Sequence, residues 1–147
     1  MKQTILFPTF VSYDTLWDEI IDIALGNNIY NQVYWGPGGV SVGNLGRLAM
    51  ATLHTKGNTT WTATEELTNV FAKAKAEIDA YRLSCVSIAF GTYNNHTVTS
   101  TGYEIYTHGS NTYKLLRILD GDTWTYRYVD MSGICPSTIT RVYPLGG

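Results

Sequence analysis

The sequence predicts an α+β fold, in which an antiparallel β-sheet packs with two α-helices in a single domain spanning residues 1–147. The segment 98–131 alternates in the manner of β-strands and is rich in Tyr, Trp, Thr and Val, which favour sheets. Two other segments, near residues 14–25 and 62–81, carry apolar residues at helical spacing. A length of 147 residues with a hydrophobic share of 44% is enough for one buried core.

The aromatic segment 98–131 is predicted to be a meander of three antiparallel strands joined by two tight turns. The turns fall at 108–111 (His-Gly-Ser-Asn) and 120–122 (Asp-Gly-Asp), whose residues accept positive φ. The strand residues are Val98, Tyr103 and Ile105 in the first strand, Tyr113, Leu115, Arg117 and Leu119 on one face of the second, and Trp124, Tyr126 and Tyr128 on one face of the third.

The chain opens with a predicted extended arm over residues 1–12, which Pro8 confines to an edge. A first helix follows over residues 14–25, because apolar residues recur there at helical spacing and acids mark the opposite side. Gly26 is predicted to end this helix in the left-handed conformation.

The next segments combine strands with a glycine-rich loop. Residues 29–35 are predicted to form a strand, and residues Gly36–Gly46 a flexible or partner-ordered surface loop. A phosphate cradle is the alternative for this loop, but neither G-x-x-x-x-G-K-[ST] nor an intact G-x-G-x-x-G is present. Residues 47–54 are predicted to be a strand, although their Ala and Met content leaves a helix open.

A second helix is predicted to begin at a capping box, Thr62–Glu65, in which hydroxyl and carboxylate satisfy each other's backbone groups. Lys73 and Glu77 are expected to pair one turn apart on its exposed side. The apolar residues predicted to form its buried face are Leu67, Val70, Phe71, Ala74, Ile78 and Tyr81.

The remaining strands are predicted at Ser84–Gly91, with Val86, Ile88 and Phe90 on one face, and at Thr138–Tyr143. The two cysteines form neither a disulfide framework nor a zinc site, because such sites need more ligands at closer spacing. Cys85 is predicted to be a buried free thiol and Cys135 a loop residue, with a bridge between them left open.

Charge and composition restrict the classes of partner. Charged residues make up 15% of the chain and the net charge is −2, whereas Thr occurs 20 times, Tyr 11 times and Gly 14 times. Scattered Lys and Arg do not suit a phosphate backbone, so nucleic acid is not expected as a partner. No apolar segment is long enough to span a membrane, and the start MKQTILFPTF is too polar for a secretory signal.

The sequence carries no catalytic motif, so we expect a protein that is not an enzyme and needs neither a cofactor nor a metal. His54, His96 and His108 are far apart in the chain, and the last two are predicted to be turn residues at the surface. Asp18 and Asp22 lie one helical turn apart and are expected to be solvated. Signatures of a serine nucleophile, H-E-x-x-H and C-x-x-C are absent from the sequence.

The meander contains more aromatic rings than a sheet of this size needs in its core. Rings left at a surface suit subunit interfaces or stacking on sugars, because they combine area with a polar tip. The residues predicted to contact a ligand or partner are Tyr103, Tyr106, Tyr113, Trp124, Tyr126, Tyr128 and Arg127.

Three segments, residues 103–106, 111–117 and 121–128, carry a resemblance. From Ser84 onward they resemble the knob-like head modules of bacteriophage tail fibres and baseplate receptor-binding proteins, in which a Tyr/Arg-rich strand leads through a turn to a W-x-x-W ending. The chain departs from that pattern in having Tyr128 as the second aromatic residue, an additional second helix and no preceding fibre shaft.

The resemblance implies a non-enzymatic virion structural protein: a fibre-tip, baseplate or capsid-decorating module, assembled in the host cytoplasm. It implies a homo-oligomer, with a trimer favoured, that contacts other virion proteins and a host-surface glycan. Closed symmetry would protect the strand edges of such a protein. A monomeric carbohydrate-binding module is the main alternative, and a small enzyme with a site assembled by folding is the other.

Overall fold

A computed structural model describes residues 13–31, 39–89, 95–133 and 137–146. The predicted arm 1–12 and most of the predicted 29–35 strand lie outside these residues, as do Phe90 and Cys135. In chain order the elements are α1 (Tyr13–Gly26), β1 (Tyr30–Asn31), β2 (Gly39–Val40), α2 (Leu45–Thr55), β3 (Trp61–Glu66), α3 (Val70–Asp79), β4 (Ser84–Ile88), β5 (His96–His108), β6 (Asn111–Leu119), β7 (Arg127–Asp130) and β8 (Ser137–Pro144).

The predicted α+β class and antiparallel sheet are confirmed. Six strands form one sheet in the order β3-β8-β4-β5-β6-β7, with every neighbouring pair antiparallel, and β1 and β2 form a separate two-stranded pair. The predicted strands near residues 84–91 and 138–143 are present as β4 and β8. The described residues contain three helices where two were predicted.

Helices cover both faces of the sheet near β3 and β8. Glu66 on β3 pairs with Lys73 of α3, whereas its neighbour Glu65 accepts hydrogen bonds from the amides of Gly43 and Gly46 at the start of α2. Because adjacent residues of a strand point to opposite faces, α3 and α2 lie on opposite sides of the sheet. The main core lies on the α3 side and consists of Val70, Ala74, Val86, Ile88, Val98, Leu116, Ile118, Met131 and Ile139.

A network of charges lies between α3 and the sheet. Glu77, which is 2% exposed, pairs with Arg82 at 2.5 Å and with Arg141 at 3.4 Å. Glu66 pairs with both Arg141 and Lys73. The predicted Lys73–Glu77 pair is wrong, because Lys73 pairs with Glu66 of β3 and Glu77 pairs with Arg82 and Arg141.

The predicted capping box is also wrong. Thr62–Glu65 lies in β3, and α3 begins later, at Val70, after Asn69 in the left-handed region (φ 55°). β3 pairs with β8 along its whole length, from Trp61 to Glu66, so sheet pairing outweighs the local cap. Leu67 and Tyr81, predicted to lie on the buried face, are 77% and 86% exposed outside the helix.

The segment 47–54, predicted to be a strand, lies in helix α2. The segment is rich in Leu, Ala and Met, which are strong helix formers, and its apolar side packs on β3 and α1. The first helix is confirmed at Tyr13–Gly26, but Gly26 is not its left-handed stop. That conformation falls on Asn28, with φ 54°.

The third strand of the meander begins later than predicted. β7 starts at Arg127, so Trp124 and Tyr126 lie in the connection before it, and that connection is not a tight turn. Asp120, which is 3% exposed, shapes the loop: one carboxylate oxygen accepts from the amides of Asp122 and Thr123, and the other pairs with Arg127. Burial opposes ionisation of Asp120, but the Thr123 hydrogen bonds and Arg127 still hold its pKa below the usual value.

Candidate functional site

One face of the β5–β6–β7 ribbon carries tyrosine side chains at the surface. Cross-strand pairing places Tyr106 opposite Tyr113, Glu104 opposite Leu115, and Arg117 opposite Tyr128. This is the face turned away from buried Leu116 and Ile118, because successive strand residues alternate. We call it the tyrosine face and define it as Glu104, Tyr106, Tyr113, Leu115, Arg117, Tyr126 and Tyr128.

The rings of this face are accessible to a partner. The exposed fractions are 52% for Tyr106, 40% for Tyr113, 58% for Tyr126 and 47% for Tyr128. The helix on this side, α2, covers the far end of the sheet, where it contacts β3 and β8. The ribbon thus presents four neighbouring phenol rings to solvent.

Glu104 holds two of these phenols. Its carboxylate accepts a hydrogen bond from the Tyr106 hydroxyl and, at 2.8 Å, one from the Tyr128 hydroxyl. These donors lower the pKa of the Glu104 carboxyl, with a smaller contribution from the charge of Arg117. Hydrogen bonding to the carboxylate raises the pKa of both phenols. The two rings are therefore fixed as neutral donors around one anion.

Arg117 organises the other end of the tyrosine face. Its guanidinium lies 4.8 Å from the centre of the Tyr126 ring, a cation–π distance, and donates to the carbonyl of Thr101 at 3.1 Å. The side chain passes directly over Gly102, where an added Cβ would lie 2.8 Å from the Arg117 Nε. Gly102 is thus needed for close approach, at the point where a register shift interrupts the β5–β6 pairing.

The loop before β7 places the one tryptophan of the ribbon in solvent. Trp124 is 103% exposed, and the neighbouring Arg127 is tied to Asp120 at 3.1 Å. Of the seven residues predicted as contacts, Tyr106, Tyr113, Tyr126 and Tyr128 gather on the tyrosine face, while Trp124 and Arg127 belong to the adjoining loop and strand.

Tyr103 lies apart from this group, on the α3 side of the ribbon. Its ring meets Phe71 edge-on at a centroid distance of 6.2 Å, and its hydroxyl donates to Asp79 at 2.9 Å. The Lys75 ammonium lies 4.8 Å from the ring centre. These contacts make Tyr103 a packing residue that joins α3 to the ribbon.

Sequence reasoning missed Glu104, Arg117 and Gly102 as members of the site. The available signal was alternation: Glu104 stands two residues before Tyr106, so a strand there puts both on one face. Gly102 lies opposite Arg117 because of the register shift, and no pattern in the sequence predicts that shift.

A second concavity lies between α2 and β3. It is a cavity of 490 Å³, lined in part by Asn27, Arg47, Met50, His54 and Glu65. The Glu65 carboxylate accepts from the Gly43 amide at 2.6 Å, which occupies a donor that an anionic ligand would need. The phosphate-cradle alternative gains no support from the described part of this loop, whereas Gly36–Gly38 lie outside the described residues.

The other candidate chemical groups are separate from the tyrosine face. His54 and His108 are exposed, and the Nε2 of His96 lies 2.6 Å from the carbonyl oxygen of Asp120. Asp18 and Asp22 are exposed on α1. Cys85 carries a free thiol whose pKa is raised by burial. Within the described ranges, no three His, Cys, Asp or Glu side chains come together to hold a metal ion.

Among the helices of the described residues, none combines the length and apolar character required to cross a bilayer. Comparison of the chain with protein-family models, with curated proteins and with solved structures finds no match.

Proposed function

We propose that this chain is a non-enzymatic structural module of a virus particle, of the fibre-tip, baseplate or capsid-decorating kind found in bacteriophages, and that it assembles as a homo-oligomer through the ribbon. The single observation that carries the assembly part is the exposed tyrosine face. The virion setting is supported by the resemblance of residues 84–128 to phage head modules and by the low charged share of the chain, 15%.

The exposed rings suit a protein interface in both area and chemistry. Tyr is enriched in the buried centres of interfaces, and an aromatic side chain can bury ~150–250 Å². Four such rings lie side by side on the ribbon with a carboxylate and a guanidinium among them. Two of the four phenol hydroxyls, those of Tyr106 and Tyr128, are already hydrogen-bonded to Glu104, which limits the desolvation cost of binding.

The hydrogen bonds of Glu104 also reduce the entropic cost of association. Immobilising a side chain on binding costs ~0.5–1.5 kcal/mol, and a side chain that is already held loses less. Tyr106 and Tyr128 are each hydrogen-bonded to Glu104 within the single chain. The tyrosine face is thus partly organised before a partner arrives.

Native mass spectrometry and sedimentation of the purified chain test the proposal. We expect a defined oligomer, which the double substitution Tyr106→Ser with Tyr128→Ser weakens. Leu67→Ser is the matched control, because Leu67 is 77% exposed but lies outside the ribbon. A monodisperse monomer at every concentration, with no partner recovered from particles, would overturn the assembly proposal.

Carbohydrate binding is the second candidate, favoured by Trp124 in particular. A fully exposed tryptophan beside Tyr126 provides flat surfaces on which sugar rings stack. Glycan-array screening of the intact chain tests it: Trp124→Ala should abolish any binding and leave the oligomer intact. An array without hits at any glycan density removes this candidate.

A further inference from the structure

Strand β5 continues well past the end of its neighbour β4. β4 pairs with residues 96–100 of β5, whereas β6 pairs with β5 as far as His108. In the described part of the chain, residues 102–108 of β5 therefore have a strand on one side and an unpaired edge on the other. Such an edge presents N–H and C=O groups that can template another strand.

The register fixes which backbone groups face this edge. His108 and Asn111 flank a two-residue turn, so they exchange both of their backbone hydrogen bonds with each other. Alternation from that pair directs the N–H and C=O groups of three β5 residues away from β6. These residues are Tyr103, Ile105 and Thr107.

Contacts of the opposite strand support this assignment independently. Lys114, which lies opposite Ile105, accepts a hydrogen bond from the Met131 amide at 2.7 Å and donates its own amide to Ser132 Oγ at 2.7 Å. Both partners lie on the β7 side of β6. The backbone of Lys114 therefore faces away from β5, and that of Ile105 faces the open edge.

We infer that this edge pairs antiparallel with the same edge of a second copy of the chain, about a two-fold axis that passes between Ile105 and Ile105 of the second copy. The inference rests on the proposed assembly function and adds to it a contact through the strand edge beside the tyrosine face. The paired edges would join the two ribbons into one continuous sheet, so that the tyrosine faces of both copies lie side by side.

Backbone geometry and charge select the register. With Ile105 opposite its own copy, Tyr103 faces Thr107 of the second copy, so all three outward residues are used and about six interchain hydrogen bonds form. A register centred on Glu104 would place two carboxylates directly opposite each other at close range, which is unfavourable. A register centred on Tyr106 would leave Tyr103 opposite the turn of the second copy, with fewer hydrogen bonds.

The selected register also makes the side chains complementary. Glu104 falls opposite Tyr106 of the second copy in a close pair without backbone hydrogen bonds. The Glu104 carboxylate already accepts from the Tyr106 hydroxyl of its own chain, so the same chemistry serves across the axis. Ile105, 47% exposed, meets its own copy and is covered.

The end of the edge accommodates the turn of the second copy. A cavity of 220 Å³, lined by Ile78, Thr101, Gly102, Tyr103, Glu104 and Arg117, lies there. In the register centred on Ile105, His108 of the second copy reaches the position beside Gly102, so the turn that follows lies against this cavity. Leu83 is 55% exposed and directly precedes β4, whose first residue pairs with Ser100 of β5. It therefore lies at the end of the open edge where the turn of the second copy would arrive.

A two-fold interface refines the expected symmetry. An isologous contact of this kind produces a dimer, or joins two trimers into a hexamer if a three-fold contact exists elsewhere. A trimer built without this edge would leave it unpaired.

Cysteine cross-linking tests the register. In a Cys85→Ala, Cys135→Ser background, single substitutions Ile105→Cys, Glu104→Cys and Tyr106→Cys are oxidised and run on non-reducing gels. Facing Cα atoms in a hydrogen-bonded antiparallel pair lie about 5.5 Å apart, within disulfide range. We expect Ile105→Cys to give a species of twice the 16.4 kDa chain mass, and the other two variants to stay at the mass of one chain.

Each outcome separates the interface from the general proposal. If the unsubstituted chain is oligomeric and Ile105→Cys does not cross-link, this edge is not the interface, although assembly itself stands. If Glu104→Cys or Tyr106→Cys cross-links instead, the register centred on Ile105 is overturned. If the unsubstituted chain is monomeric throughout and no variant cross-links, both proposals fail.

A charge substitution provides a second measurement that needs no background change. Ile105→Lys places two ammonium groups opposite each other on the axis, so we expect self-association to weaken about tenfold or more and to recover partly in high salt. Ile105→Val and Leu67→Lys, which leave the axis uncharged, should associate as the unsubstituted chain does. Equal association of Ile105→Lys and Ile105→Val in sedimentation would overturn the interface.

Discussion

The strands at the helix-covered end of the sheet and the strands of the projecting ribbon differ in how their two faces are covered. At β3, β8 and β4, helices lie on both faces, and the charges of Glu66, Glu77 and Arg141 are paired between helix and sheet. On the ribbon, one face joins the core through Leu116 and Ile118 and the other displays tyrosines. The contrast indicates that the exposed face of the ribbon serves recognition, whereas the helix-covered end and the buried face of the ribbon supply the folding free energy, so substitutions should separate the two.

The largest effect is expected in the buried side of the ribbon itself. Leu116 is 0% exposed, and Leu116→Ala should lower the free energy of unfolding by about 3 kcal/mol through lost burial and the cavity left behind. Leu119→Ala, on the same strand but 36% exposed, should cost less than about 1 kcal/mol. Urea titrations measure both losses, and we expect the dependence of the free energy of unfolding on urea concentration to have the same slope in both variants as in the unsubstituted chain. Equal losses would mean that the two faces of β6 are not distinct.

Glu77→Gln tests the charge network of the helix-covered end. The substitution removes a buried charge that serves Arg82 and Arg141, and Arg141 retains Glu66, so we expect a loss of about 2–3 kcal/mol. Glu104→Gln is the matched control on the tyrosine face, where the carboxylate is hydrogen-bonded to tyrosines near solvent. Thermal unfolding of Glu104→Gln should lie close to that of the unsubstituted chain. The reverse order would contradict the division between the two ends.

Gly102→Ala tests the close approach of Arg117 within the ribbon. The new Cβ would overlap the guanidinium, which is the flexible end of a side chain, so the cost should be about 1 kcal/mol as Arg117 moves off Tyr126. Gly133→Ala is the control, because nothing lies within 4 Å of its added Cβ. Urea unfolding should leave Gly133→Ala unchanged, and an equal effect at both glycines would contradict the packing.

These differences also mark what the sequence could and could not supply. Alternation of apolar and polar residues in 96–119 predicts β5 and β6, because the two faces of a half-buried strand leave a period of two in the local sequence. Thr62–Glu65 fails as a helix start because its pairing partner, β8, is about 75 residues away and invisible to local pattern.

The candidate site divides in the same way. The exposure of Tyr106, Tyr113 and Tyr128 could be predicted from the sequence. The segment contains more aromatic rings than the core of such a sheet needs, and strand alternation places some of them on the face away from the core. The displacement of Trp124 and Tyr126 from the strand depends on the buried Asp120 carboxylate, which organises the loop through two amides and Arg127. A side chain that replaces backbone pairing with its own hydrogen bonds leaves no periodic trace in the sequence.

The pH dependence of the free energy of unfolding tests the charge network at the helix-covered end. Hydrogen bonds from Lys73 and Arg141 lower the pKa of Glu66 below its ordinary 4.5. A carboxyl with a lowered folded pKa contributes stability that is present above 4.5 and lost as the pH falls through the folded value. Glu66→Gln should therefore remove a contribution of about 1 kcal/mol or less at neutral pH, discounted for partial exposure.

Urea titrations of the unsubstituted chain and Glu66→Gln between neutral pH and strong acid measure this contribution. Other carboxyls with lowered pKa, including Glu104 and Asp120, titrate in both proteins and cancel in the difference. The two stabilities should converge as the pH falls. A difference that stayed constant down to acid pH would show that ionisation of Glu66 is not the source.

The smallest effect on stability is expected at the most exposed ring. Trp124 is 103% exposed, so Trp124→Ala should change the free energy of unfolding by less than about 0.5 kcal/mol. Fluorescence of the native chain should lose a solvent-exposed, iodide-quenchable component, while the contribution of half-buried Trp61 persists. Trp61→Phe is the control, and should leave the quenchable component in place. A large loss of stability in Trp124→Ala would mean that this ring is packed within one chain, and the loop before β7 would then belong to the folding half of the molecule rather than to its recognition half.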